Sequence, residues 1–284
     1  MLSKFPKIVN RVLLWILLMM GFILPPPAIA EEILKIGGTG FALGSMELVA
    51  KDFEKVNQGV KVKVIRPSLG SSGGIRAVSK GAIDIGLSSN PLKEEESKLG
   101  LIALELFKTS LVFVTKNDVP TSGLATGEIA KIYRGETSTW PDGKRIRLIL
   151  RPKGEMDTLL LKKISSEMSH AIDTAHSTAG LAMAMTDQDC LDLLEKTPAG
   201  FGVSTLAQIV SEKRPLKILS FNGVKPSIKT LMDGSYPLFR ELYLVTKTDS
   251  SGLVRKFIDF VQSSPGRKIM EGAGNLVIMG KAGK

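Results

Sequence analysis

Cysteine occurs once in 284 residues, at Cys190, and histidine twice, at His170 and His176. A single cysteine excludes an internal disulfide. The two histidines share one stretch, expected to be a surface-facing helix, and with one cysteine they form no metal-spaced cluster. Cys190 sits in Asp187-Gln188-Asp189-Cys190, the expected first turn of a helix, where a packed thiol fits better than a nucleophile. No Gly-x-Ser-x-Gly elbow is present, which removes another hydrolase signal. Aromatic residues make up 6% of the chain, and the 38 lysines and arginines form no dense block interleaved with them. Nucleic acid is therefore not an expected partner. Beyond residue 30, charged residues interrupt every apolar run, so none approaches the ~20 residues of a membrane-spanning helix.

The segment before that point has a different pattern. Lys4, Lys7 and Arg11 precede an apolar stretch at 12–24, and Ala28-Ile29-Ala30 supplies small residues at the positions read for cleavage. Residues 1–30 are expected to be a signal peptide, with the mature chain starting at Glu31. This stretch carries three basic and no acidic residues, so its removal lowers the net charge from +10 to +7. No cysteine stands at the cleavage site to carry a lipid anchor. A freely diffusing periplasmic protein between two membranes is expected, with a positive field suited to gathering small anions.

From residue 33 onward, short apolar runs alternate with amphipathic stretches. Strands are expected at 33–36, 60–65, 83–87, 147–150, 201–203 and 216–220. Helices are expected at 46–56, 75–80, 126–133, from about 155, at 187–195 and at 253–261, followed by one opened by Pro265 and a closing strand at 275–279. This alternation defines an α/β fold. Two similar segments, 111–116 and 242–247, both end in Thr-Lys, and if they run side by side they are the two crossings between lobes. Lobe one then comprises 31–114 with 245–284, and lobe two 115–244. A single continuous sheet would overturn that division.

Three loops leave the carboxyl ends of successive expected strands: Gly37-Gly38-Thr39-Gly40-Phe41, Gly70-Ser71-Ser72-Gly73-Gly74 and Ser88-Ser89-Asn90-Pro91. Such loops converge on one crevice in a parallel-type sheet. Glycines let N–H groups turn inward, and a helix start adds a partial positive charge, so they suit an oxyanion. The plainer reading is three unrelated caps and turns. Arg151, at the end of another strand, is either an anion clamp with paired donors or half of an ordinary ion pair.

These loops, with Asp84-Ile85-Gly86-Leu87 before the third, Ile132-Tyr133-Arg134-Gly135, Trp140, Arg151-Pro152 and Gly202-Val203-Ser204, resemble in order and spacing the phosphate-binding periplasmic proteins of phosphate ABC importers. The resemblance covers most of the mature chain. It implies a two-lobed periplasmic-binding-protein type 2 fold with two crossover strands, closing on a dehydrated phosphate. It further implies a monomer without a cofactor, working with ABC transporter membrane subunits. Phe41 is similar to the family phenylalanine whose backbone N–H meets the ligand, and Gly40 stands where a threonine is frequent. Ser71 or Ser72 matches the ligand serine, and Arg151 matches the arginine clamp.

Two positions depart from the family pattern. Ser89 stands where some members carry an aspartate that accepts the ligand proton. Glu155-Met156-Asp157 replaces Ser-Gly-Thr at a helix start, exchanging two hydroxyls for two carboxylates. Like charges ~4 Å apart at an effective dielectric near 20 repel by about 4 kcal/mol, which exceeds the ~2 kcal/mol upper limit for helix-start attraction. Three readings follow: both acids favour the helix start from outside, one of Glu155 and Asp157 enters the cleft to accept a ligand proton, or the ligand is not phosphate. The alternatives to a transport receptor are a sensor or accessory protein built on the same fold and, less favoured, a phosphate-ester hydrolase.

Overall fold

The computed structural model describes residues 31–278, so the expected signal segment and the end of the 275–279 strand lie outside the described residues. The first half alternates strand and helix: β1 (Glu32–Gly38), α1 (Leu43–Val56), β2 (Val60–Val64), α2 (Gly70–Ser79), β3 (Ile85–Ser88) and the long β4 (Leu101–Lys116). The second contains α3 (Thr126–Arg134), β5 (Arg147–Leu150), α4 (Met156–Lys162), α5 (Ser166–Ser177), β6 (Ala182–Met183), α6 (Asp187–Lys196), β7 (Gly200–Thr205), α7 (Leu206–Ser211) and β8 (Leu216–Ile218). The chain then returns through β9 (Phe239–Lys247), α8 (Gly252–Gln262), α9 (Ser264–Gly272) and β10 (Leu276–Val277).

Local pattern explains most of these elements. In α1, Leu43, Met46, Val49, Ala50 and Phe53 recur at helical spacing and are all buried. Val-Lys-Val-Lys-Val in β2 has the period of a half-buried strand. Ser263 caps α9, its hydroxyl accepting from the Gly266 N–H, and Pro265 occupies the first turn where its missing donor costs nothing.

Ten strands of the described residues form one hydrogen-bonded sheet in the order β2-β1-β3-β9-β4-β7-β5-β6, with β8 and β10 also paired to β4. The paired-crossing expectation is corrected here. Residues Leu242 to Lys247 of β9 lie opposite Phe107 to Leu101 of β4, not opposite 111–116. Leu111 to Thr115 instead pair with Thr205 to Phe201 of β7. Two apolar strands can look alike without facing each other, because residue type alone does not set pairing.

The hydrogen bonding does run as one continuous sheet, against the expectation of two separate ones, but that continuity is carried by β4, which passes through both lobes. Its 16 residues serve β9 at one end and β7 and β8 at the other. The cores part at the same place. One core gathers residues of β1, α1, β3, β9 and α8, centred on Phe53, whose ring meets Phe257 edge-on at 5.1 Å. The other gathers residues between Leu111 and Leu238 around Phe201, with Phe113 stacked at 6.0 Å and Trp140 edge-on at 5.7 Å. Both crossings thus change core between Phe107 and Leu111 and between Leu238 and Leu242.

Candidate functional site

The three loops of the first lobe converge through backbone contacts. The Thr39 N–H donates to Leu87 O at 2.9 Å, and Leu69 N–H donates to Gly38 O at 3.1 Å. The Ser89 N–H donates to Ser71 Oγ at 2.9 Å, and the two hydroxyls lie 3.0 Å apart. Glycine permits this approach: a Cβ on Gly74 would lie 2.9 Å from Gly38 Cα, and one on Gly38, at φ +149°, would lie 2.1 Å from Leu87 O. The glycine-serine stretch is not a loop before a helix, as expected from sequence. It forms the first turn and a half of α2, which begins at Gly70.

The second lobe meets this edge with Arg151, buried to 4% exposure at the end of β5. Its backbone carbonyl is held by the Thr158 hydroxyl at 3.2 Å and by His176 Nε2 at 2.9 Å. His176 is therefore half-buried support for the Arg151 backbone, a correction to its expected surface role. Arg151 Nη1 donates to Ala184 O at 2.8 Å, while Nε reaches Asp157 Oδ2 at 3.3 Å and Nη2 reaches Asp187 Oδ1 at 3.5 Å.

A second arginine, Arg240 of β9, completes the cluster. It is 3% exposed, its guanidinium carbon sits 4.2 Å from the Phe41 ring centroid, and Nη2 donates to Thr39 Oγ1 at 3.2 Å and Ser89 Oγ at 3.3 Å. Nη1 donates to Asp187 Oδ1 at 2.9 Å. The Phe41 N–H donates to Asp187 Oδ2 at 3.1 Å. One carboxylate of the second lobe thus occupies a seat made by a backbone amide and two guanidinium groups.

A family model described as a PBP superfamily domain matches residues 25–265. The chain belongs to the PBP superfamily. Among its curated relatives, Phosphate-binding protein PstS of Borreliella burgdorferi is 28% identical, over 87% of this chain and 91% of the relative. The Bacillus subtilis protein of the same name is 26% identical, over 82% and 76%. Among solved structures, a putative phosphate ABC transporter substrate-binding protein from Clostridium perfringens superposes with a TM-score of 0.71 at 21% identity, covering 87% of this chain and all of that one.

Gly40, Phe41, Ser71, Ser89, Arg151 and Asp157 come together in or beside this buried cluster, whereas Ser72 and Glu155 stay outside it. Ser72 is exposed on α2. The Glu155 side chain is 44% exposed, and its Oε2 lies 3.6 Å from Arg151 Nη2 at the rim. Both line an interlobe cavity of about 330 Å³ with Ser71, Ser89 and Asn90. Only one of the two acids is therefore inside: Asp157, 2% exposed, with Oδ1 3.0 Å from Arg240 Nη1 but off the direction of a hydrogen bond.

Arg240 and Asp187 escaped sequence reasoning. Arg240 interrupts a strand, where the adjacent charges Arg240-Glu241 between Phe239 and Leu242 carried no mark of a buried cluster. Asp187 looked like an ordinary acid at a helix start, but the capping of α6 is done by others: Thr186 Oγ1 accepts from Asp189 N–H and Asp189 Oδ2 accepts from Thr186 N–H, each at 3.0 Å.

The electrostatics of the cluster are reciprocal. Burial works against the charge of both arginines, yet Asp187 and Asp157 overcome it and raise both pKa values. Burial likewise pushes the Asp187 carboxyl up, but Arg240 and Arg151 pull it below the usual carboxylate value. The seat therefore holds the Asp187 carboxylate in its ionised form.

Proposed function

We propose that this chain is the solute-binding component of an ABC importer and that it takes phosphate, carrying at least one proton, in the interlobe cleft. One observation carries the reading: the Phe41 N–H, Arg240 and Arg151 already coordinate an oxyanion, the Asp187 carboxylate. Charge-assisted bonds of this kind are the strong ones, and phosphate presents the same acceptor geometry with two further oxygens. Ser71 and Ser89 stand beside the seat as hydroxyl donors. Asp157 Oδ1, lacking a directed donor, is the acceptor for the ligand proton. The names of the PstS relatives agree with this assignment.

In the same reading the protein is exported, cleaved before Glu31, unanchored and monomeric. Lobe one then comprises 31–110 with the segment from 239 onward, moving both expected limits to where the cores part. Catalysis is not part of the reading. Two of the three nucleophile or base candidates are committed elsewhere: Cys190 Sγ donates to Val203 O at 3.3 Å, and His176 supports the Arg151 carbonyl.

A second reading has its own support. Both arginines already have buried aspartate partners, which suits a sensor or accessory protein with a different ligand. Isothermal titration of the mature protein with phosphate, sulfate, molybdate, tungstate and amino acids separates the two. Heat with phosphate and little with sulfate is expected; binding of an amino acid with no response to phosphate ends the phosphate assignment.

A further inference from the structure

Gly40 stands directly against the second lobe. A Cβ there would lie 2.4 Å from Gln188 Oε1 and 2.8 Å from Asp187 Oδ2, so any side chain at position 40 forces Gln188 and the Asp187 carboxylate to shift. Gln188 adds to the same closure, with Nε2 donating to Gly40 O at 2.9 Å. At the rim, Arg66 bridges Glu47 of its own lobe at 2.7 Å and Glu212 of the other at 3.4 Å. Asp187 makes no cap for its own helix, because Thr186 and Asp189 satisfy that end between them. Its contacts lie across the cleft and on Arg151.

We propose that Asp187 is a built-in rival of the solute: its carboxylate fastens lobe two onto the anion seat of lobe one, an oxyanion enters only by driving it out, and Gly40 is the residue that makes room for it. The identity of the oxyanion rests on the phosphate reading above, whereas the latch itself does not. Asp187 takes the Phe41 N–H and the best donor of Arg240, so phosphate and this carboxylate cannot be bound there together. A receptor whose competent form is a minor population binds with an affinity reduced by that fraction. Asp187 thereby sets a high threshold concentration for loading. It also sets specificity, since the anion must offer more than the two oxygens of a carboxylate.

The test uses the mature protein and two variants, Asp187→Asn and Gly40→Thr, the second leaving every charged group intact. Small-angle X-ray scattering in phosphate-free buffer reads the closure, calorimetry with inorganic phosphate reads the affinity, and circular dichroism checks folding. Both variants are expected to show a larger radius of gyration than the parent without phosphate and to contract when it is added. Each should bind phosphate at least about tenfold more tightly, the factor for a latch closed about 90% of the time. Variants as compact as the parent, with the parent's affinity, overturn the proposal. Variants that open while no form of the protein takes phosphate uphold the latch and remove phosphate as its rival.

Discussion

Replacing Arg240 with Met removes one of two buried cations that face two buried carboxylates. In the parent, Arg240 Nη1 lies 2.9 Å from Asp187 and 3.0 Å from Asp157, and the Phe41 ring covers its guanidinium. Methionine keeps the packing but leaves Asp187 and Asp157 with Arg151 alone. Breaking a buried ion pair from one side costs about 3–5 kcal/mol, since the remaining charge stays desolvated. For a chain of this size, each kcal/mol moves the melting temperature by about 2–4 °C, so a fall of roughly 6–20 °C is expected at neutral pH. The pH dependence carries a sign. The Asp187 pKa is depressed in the folded state, so its contribution is fully present above the unfolded value and is lost as pH falls through the folded one. The gap between parent and Arg240→Met should therefore narrow in acid. A double variant with Asp187→Asn should melt above Arg240→Met alone, because the stranded charge is gone. Calorimetric melting across pH tests all three points. A melting temperature unchanged by Arg240→Met, or strictly additive single and double variants, refutes a coupled buried cluster.

Three further outcomes follow. Gly74→Ala gains about 1 kcal/mol of helix propensity but drives its Cβ to 2.9–3.0 Å from the Gly38 and Gly37 backbone; overpacking at ~1–3 kcal/mol wins, and thermal melting should fall. Burial pushes the Cys190 thiol up to about 12, so a thiol reagent should label it only after denaturation, and labelling of the native protein counts against the packing described. Asp157→Asn should lower the preference for phosphate over sulfate by about one to two decades, the worth of a charge-assisted bond of ~1.5–3 kcal/mol, while Glu155→Gln at the rim changes it little; competition titration reads both, and the reverse ranking refutes the assignment.

The elements were largely legible from periodicity. Helix 126–133 and strand 147–150 stand within a residue of α3 and β5, because amphipathic spacing and strand composition are local properties. Pairing was not legible. Residues 101–110, the half of β4 that receives β9, carry Glu105 and Lys108 and read as no strand at all. Lys108 meets its nearest partner only in the folded sheet, 3.3 Å away on Glu241 of β9. The site divided in the same way. Phe41, Ser71 and Arg151 were singled out because loops at strand ends, and the family resemblance, mark them. Arg240 and Asp187 depend on which strands become neighbours and on how closely two lobes approach, and no short window of sequence contains either fact.

Charge counting gives the ligand its protonation state. Arg151 and Arg240 are balanced by Asp157 and Asp187 within the buried cluster. If an oxyanion displaces Asp187 toward solvent, the seat that remains holds two arginines and Asp157, an excess of one positive charge. A singly charged ligand neutralises it, whereas a doubly charged one leaves an uncompensated negative charge in a desolvated site, at a cost of several kcal/mol. Dihydrogen phosphate also brings hydroxyl protons for Asp157 Oδ1, which has no directed donor of its own. Phosphate affinity should therefore rise as pH falls from mildly alkaline to mildly acidic, following the protonation of phosphate. The depressed pKa of Asp187 keeps the rival carboxylate ionised throughout that range, so the change reports the ligand alone. Titration calorimetry in two buffers of different ionisation enthalpy measures both affinity and protons exchanged. Affinity that rises toward alkaline pH, with a proton released on binding, would show that the dianion is the form bound and that a second negative group leaves the seat with Asp187.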